Sequence, residues 1–378
     1  MFGSDADDRQ TLSLAMPLTV NGDAAVARAT STTSSASAPT DIHWRDVVAP
    51  YQRTEVWRSL AQLAVTLGSL ALCFAAMAFS LRGPYWGTLL LAVPTAGFLV
   101  RTFIVMHDCA HGSFLPWRRA NDAIGFVTGV LTLTPFDQWR RDHALHHASS
   151  GDLDRRGSGD IETITVREYL DRTPSQRFWY RMSRNPVALL LVGPLWLIYN
   201  HRFHTRSRLH TAKQGASVLS TNVALAAIII ASFAFGILPE VAMIYLPSIY
   251  IAAAAGVFLF YVQHQFEDTY WQRHEGWDYL DASIAGSSYL KLPWPLAWLT
   301  GNIGVHHVHH ISPKIPNYKL RQCHDENPLF HRVTTLTLKD TGKALRLSLW
   351  DEDQGRLISF RELSARASGT EARTRRPR

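Results

Sequence analysis

The run Tyr85-Trp86-Gly87-Thr88-Leu89-Leu90-Leu91-Ala92-Val93-Pro94-Thr95-Ala96-Gly97-Phe98-Leu99-Val100 is followed, six residues on, by His107-Asp108-Cys109-Ala110-His111. The chain carries no charge from Gly83 to Val100. A bilayer core of roughly 30 Å needs about 20 apolar residues of helix, so this run is long enough to cross. Three more uncharged runs match it in length: Ser59 to Leu81, Gln214 to Pro239 and Val241 to Val262. Helices buried in a large soluble core would also be apolar, but four such runs paired by very short links argue against that. The spacing predicts an all-α integral membrane protein with four transmembrane helices, near 59–81, 85–106, 216–238 and 241–263. The links Leu81-Arg82-Gly83-Pro84 and Leu238-Pro239-Glu240 make two hairpins of them.

The rest of the composition agrees. Charged residues are 18% of the 378, below the roughly 25% usual in soluble domains. The net charge is +7. Between His107 and Ala216 there are 15 Lys and Arg against 10 Asp and Glu; from Ile311 onward there are 14 against 8. Basic loops stay on the cytoplasmic side, so both termini and the central stretch are expected there. The excess suits a face near anionic headgroups and calls for no nucleic acid. The three cysteines, Cys73, Cys109 and Cys323, form no CxxC pair and so no Cys-pair zinc or redox signature. No cleavable signal peptide is visible.

The organisation expected is a disordered tail over 1–40, rich in Ala, Ser and Thr; a membrane domain over 41–335; and a cytoplasmic C-terminal region over 336–378, disordered from about 365. Asp41 to Trp57 reads as an interfacial lead-in. Two shorter apolar runs, Ala123 to Pro135 and Pro186 to Asn200, read as amphipathic or half-buried helices on the membrane face. A true span near 186–200 is the alternative.

Nine of the 17 histidines fall in three short windows: His107 to His111, His143-Ala144-Leu145-His146-His147, and His306-His307-Val308-His309-His310. Residues three and four apart share a helix face. Each window can therefore aim two or three imidazoles at one point. Neutral imidazole binds iron, zinc, copper or nickel. Eight candidate ligands exceed the four of a structural zinc and suit two metal ions in a helical cytoplasmic cap. The windows lie beyond the ends of the apolar runs. A transporter places its polar groups at mid-bilayer depth instead, and a membrane haem protein needs axial histidines within facing spans.

At these windows the chain resembles the membrane-bound fatty acid desaturase family, whose pattern is HxxxH, HxxHH and a distal HxxHH between two membrane hairpins. The resemblance covers about residues 50 to 330. Finer similarity is to bacterial acyl-lipid omega-6 (Δ12-type) enzymes. It is carried by His107-Asp108-Cys109-Ala110-His111-Gly112-Ser113-Phe114, by Gly301-Asn302-Ile303-Gly304-Val305-His306-His307, and by Pro313-Lys314-Ile315-Pro316-Asn317-Tyr318. The resemblance implies a non-haem di-iron centre and a further ligand, His264. The implied ligand set is His107, His111, His143, His146, His147, His264, His306, His309 and His310. His307 breaks the spacing and reads as a supporting residue. Related acyl-CoA enzymes have a water-mediating Asn one turn before the additional His; here that position is Phe260, and Gln263 is the nearby substitute.

The reaction implied is oxygen-dependent introduction of a cis double bond into an acyl chain. Dioxygen is the co-substrate, a fatty acyl lipid is the substrate, and the place is the bacterial inner membrane. The chain has no haem segment, iron–sulfur framework or GxGxxG, so a separate donor such as ferredoxin is implied. The rival readings are an alkane, sterol or carotenoid hydroxylase or ketolase with the same site, and a non-catalytic membrane metal-binding or transport protein. Asp108, Asp142, Asp152 and Asp160 are candidates to orient ligating imidazoles. Arg202, Arg206 and Arg208 read as snorkelling or headgroup contacts. His201, His204, His210, His274, His324 and His331 lie outside the clusters and are not expected to be ligands.

Overall fold

A computed structural model describes residues 43–157, 159–203 and 211–374. The expected tail over 1–40, together with His204, Arg206, Arg208 and His210, lies outside the described residues. Nine helices carry the description: α1 (Val56–Ser80), α2 (Tyr85–His111), α3 (Arg118–Leu131), α4 (Phe136–Ser149), α5 (Pro174–Ser183), α6 (Ala212–Ala234), α7 (Leu238–His264), α8 (His306–Ile311) and α9 (Asn317–Glu326). Four of them, α1, α2, α6 and α7, are long and apolar enough to cross a membrane.

The boundaries differ from the expected spans in an informative way. α2 continues five residues past 106, so the first histidine window is the last turn of the span itself. Gly112, with φ at +67°, then supplies the left-handed residue that stops the helix. At 1.5 Å per residue, the 27 residues of α2 and of α7 reach roughly 40 Å. That exceeds a hydrocarbon core of about 30 Å. Both helices therefore have an overhang, and His107, His111 and His264 stand on it. α6 begins at Ala212, four residues early, where the Gln214 side chain accepts the Thr211 N–H at 2.8 Å.

α2 is the central helix, buried along one face at Thr88, Ala92, Thr95 and Ala96 and on nearly every side from Leu99 to Cys109. Leu70 of α1, Leu99 and Val100 of α2, and Ile249, Ala252 and Leu259 of α7 form one apolar cluster. Leu72 and Phe79 of α1 and Leu219, Ile230 and Phe233 of α6 point outward. Apolar side chains on the outer faces of such long helices suit lipid rather than water. The one Arg in α2, Arg101, is buried. It donates to the Trp298 carbonyl and lies over the Trp298 ring at 3.9 Å.

The run 186–200 makes no span. It breaks into Pro186–Leu191 and Gly193–Phe203. The longer piece, 11 residues, extends only about 17 Å. Val187, Leu191, Leu195, Trp196 and Phe203 remain exposed along it.

Short strands add to the helices. β1 (Ile164–Thr165) runs parallel to β4 (Leu347–Asp351), which pairs antiparallel with β5 (Arg356–Ser359). β2 (Tyr289–Leu290) pairs parallel with β3 (Thr335–Leu336). The first sheet packs Leu347, Trp350 and Leu357 against Leu153 and Trp271. The C-terminal strands thus close over the segment that follows α4.

Candidate metal centre

The site forms where the C-terminal ends of α2 and α7 meet α4 and α8. The histidines fall into two groups. In one, ligand atoms of His107, His111, His143 and His309 lie within 4.8 Å of one another; in the other, those of His146, His264, His306 and His310 do. His147 belongs to neither group of four and stands between them. Its Nε2 is 3.1 Å from that of His143, and its ring centroid is 4.3 Å from His310 and 4.6 Å from His309.

Each of the second and third windows is therefore divided between two points, not aimed at one. Residues three apart on a helix are about 4.5 Å apart along the axis. That offset sends His143 to the first group and His146 to the second. In the third window His306 and His310, four apart on one face of α8, join the second group, while His309, one residue before His310 and turned about 100° from it, joins the first.

Hydrogen bonds at Nδ1 place the proton on that nitrogen in three of the rings. His264 Nδ1 lies 3.1 Å from the Gly286 carbonyl, which can only accept. His146 Nδ1 meets the Asp160 carboxylate, and His107 Nδ1 is 3.2 Å from Asp108 Oδ1. In a neutral ring with Nδ1–H, Nε2 is a bare lone pair. Yet His146 Nε2 is 3.2 Å from His264 Nε2, and His107 Nε2 is 3.0 Å from His309 Nε2. His306 Nε2 is 2.9 Å from the same nitrogen of His264.

The bare Nε2 atoms of His146 and His264 repel at 3.2 Å unless a cation or a proton lies between them. Added protons are a poor remedy. Burial, and then neighbouring imidazoles, push His306, His309 and His310 well below the usual histidine range. His143 and His147 are depressed for the same reasons. Neutral, buried, convergent imidazoles are the donor set a transition metal requires, and these residues fit one.

The supporting residues are partly those expected. Asp108 and Asp160 orient His107 and His146 as described. Asp108 is itself held by Asn317, whose backbone N–H and Nδ2 both donate to Oδ2 at 2.8 Å. Gln62 of α1 donates to Asn317 Oδ1 at 3.0 Å. Asp142 accepts from Gln138 Nε2 at 2.9 Å. Asp152 serves a loop instead, accepting from Arg155 and meeting His274 Nδ1 at 2.8 Å.

His307 is on the far face of α8. Its Nε2 is 3.1 Å from His324 Nδ1, and its ring packs against Phe330. His324 and His331 are behind the third window, not in the site. Gln263 is no substitute for the missing Asn: its Nε2 donates to the Ile303 carbonyl at 2.9 Å. Phe260 packs on both His146 and His264, with ring centroids 5.1 and 5.3 Å away. Arg202 donates to Asn222 Oδ1 at 2.7 Å.

Sequence reasoning missed Trp139, stacked on His143 at 4.3 Å between centroids. It stands four residues before His143, on the same face of α4, which was the available signal. Asn317 was read only as part of a motif, and its carboxylate-holding role depends on a tertiary contact.

Four helices of membrane-crossing length, two of them ending at buried histidine groups able to hold metal, define the architecture of a membrane protein with a candidate metal centre. A family model described as "Fatty acid desaturase" matches residues 83–333, and the chain belongs to that family of oxidoreductases. A fatty acid desaturase of Bacillus subtilis is 42% identical over 318 residues, covering 84% of this chain and 90% of that protein. Two Synechocystis proteins are similar at lower identity. An sn-1 acyl-lipid omega-3 desaturase (ferredoxin) is 28% identical, covering 58% of this chain and 62% of its own. An sn-1 oleoyl-lipid 12-desaturase is 24% identical, covering 71% and 75%.

Proposed function

We propose that this protein is an oxygen-dependent acyl-lipid desaturase of Δ12/omega-6-like specificity, holding two iron ions, one in each histidine group. The observation that carries the iron reading is the convergence of histidine nitrogens in two separate groups of four, with Nε2 left bare on His146 and His264 in one and on His107 in the other. When bound, the iron pair would supply the oxidation: dioxygen, two electrons from an outside donor and two protons, with two hydrogens from adjacent methylenes, give a cis double bond and two waters.

His107, His111, His143 and His309 would hold one ion. His146, His264, His306 and His310 would hold the other, with His147 between them. Asp160 and Asp108 keep the Nδ1 protons of their histidines away from the metals and fix the rings. Phe260 covers His146 and His264 with an apolar face, which keeps water from that side. The basic balance of the central stretch and the C-terminal region supports a plasma-membrane enzyme with both termini cytoplasmic. The names of the two Synechocystis relatives support an acyl-lipid substrate, and one of them supports ferredoxin as donor.

Expression in a host making monounsaturated lipids, together with a ferredoxin and its reductase, tests the reading. Lipid mass spectrometry should find acyl chains with a second double bond at the Δ12 position, formed only with oxygen and donor. A hydroxylated or keto product overturns the desaturation reading. Purified active protein holding a single zinc and no iron overturns the di-iron reading.

A further inference from the structure

Away from the histidines, α5 and the strands β4 and β5 enclose an open cavity of about 550 Å³. Its walls carry six cations: Arg181, Arg184, Lys343, Arg346, Arg356 and Arg361. Only two carboxylates answer them. Glu267 pairs with Lys343 and Arg356, and Glu362 pairs with Arg356 and Arg366. Arg184 is only 4% exposed, yet among the described residues no carboxylate pairs with it. One nitrogen donates to Gln265 Oε1 at 2.5 Å and, at 3.4 Å, to the Leu347 carbonyl; its Nε and Nη1 have no acceptor.

A buried guanidinium without a counter-charge is costly, because burying a charge is tolerated only when it is paired. The Tyr261 and Tyr180 rings lie 4.9 and 5.9 Å from it and soften the cost. They leave its charge without an anionic partner among the described residues. Arg181 donates to the Tyr169 hydroxyl, so it too has no acidic partner among the described residues. The cavity is thus positive beyond what its own acids compensate, and its size suits a small polar group.

We propose that this cavity is a binding site for the phosphodiester of an anionic phospholipid headgroup. Arginine's planar fork matches phosphate oxygens. The surroundings favour a lipid over a soluble anion. Asn185 and Pro186, in the cavity wall, lead into the short helix that exposes Val187 and Leu191. On the other side, α5 exposes Phe178, Trp179 and Met182. Basic residues bordered by exposed aromatic and aliphatic side chains suit a headgroup with its acyl chains alongside. The inference does not depend on the metal or the reaction.

The test is native mass spectrometry of the full chain in detergent, with phosphatidylglycerol, phosphatidylcholine or inorganic phosphate added in turn. Variants are Arg346→Glu with Arg361→Glu, both outside the buried core, and separately Arg184→Gln. Phosphatidylglycerol should bind at least about tenfold more tightly than phosphatidylcholine, and each variant should lose about that factor. Arg346→Glu with Arg361→Glu keeps the test valid if Arg184→Gln fails to fold. Equal binding of both lipids, unchanged in the variants, overturns the site. Displacement of the lipid by an equal concentration of inorganic phosphate makes it a free-phosphate site and overturns the lipid assignment. Unchanged lipid binding with weakened binding of a reduced ferredoxin makes the cavity a protein-docking face, and the proposal falls.

Discussion

Asp160 has no chemistry of its own in the reaction, yet it settles which nitrogen of His146 is free. Asp160→Asn keeps the size and removes the charge that holds the Nδ1 proton. Metal affinity should fall about 10- to 100-fold, measured by metal titration of the purified protein, while the unfolding midpoint of the metal-free protein should move little. His307 gives the opposite pattern. It is fully buried and bonded to His324 rather than to either group. His307→Ala should keep the full metal content and lose stability by about 1–3 kcal/mol, because a hydrogen-bond partner is left unsatisfied in the core; metal analysis and thermal unfolding check the two halves. Eight histidines of the three windows were legible in the sequence because spacing on a helix predicts which side chains share a face; His264 came only through the family resemblance. Asn317 and Trp139 were not, because their roles come from contacts across elements. The division of α4 and α8 between two groups was also hidden, since spacing shows a shared face but not how many points that face addresses.

Among the elements, the turn before α8 is tightly constrained. Gly301 and Asn302 are both left-handed, with φ at +56° and +57°. A Cβ on Gly301 would come 2.6 Å from Cγ2 of Ile104, about one turn before His107 on α2. The turn is therefore pressed flat onto α2, and this sets His309 against His107. Gly301→Ala adds a left-handed cost of about 1–2 kcal/mol as well as the collision. It should lower metal content and unfolding midpoint together. Gly342→Ala, where a Cβ meets open space, should change neither. The long helices were readable to within about five residues because uninterrupted apolar length is a strong signal. The two sheets were not. Their strands run two to five residues, and β1 pairs with a strand more than 180 residues away, so no local periodicity announces them.

At the scale of the whole molecule, Asp152 joins the segment after α4 to the segment after α7. Leu153 N–H donates to the Gln272 carbonyl, and Gln272 N–H donates to the Gly151 carbonyl, each at 2.9 Å. Burial raises the Asp152 carboxyl, but hydrogen bonds from His274, the Asp154 N–H and Arg155 outweigh it and hold it below the usual range. A depressed carboxyl stabilises the fold above its unfolded value, about 3.9, and that contribution is lost as pH falls through the folded value. Asp152→Asn should therefore lower the unfolding midpoint at pH 7, and the gap to the parent should close as pH drops below about 4. The division of the histidines has a consequence for biogenesis. One group waits for His309 and the other for His306 and His310, so neither can close until the ribosome has passed residue 310. Before residue 306 the growing chain offers three members of one group and two of the other, on segments far apart in sequence. Loading of the proposed centre would thus be a late event of synthesis, and a filled centre would certify that the two halves of the nascent chain have found each other.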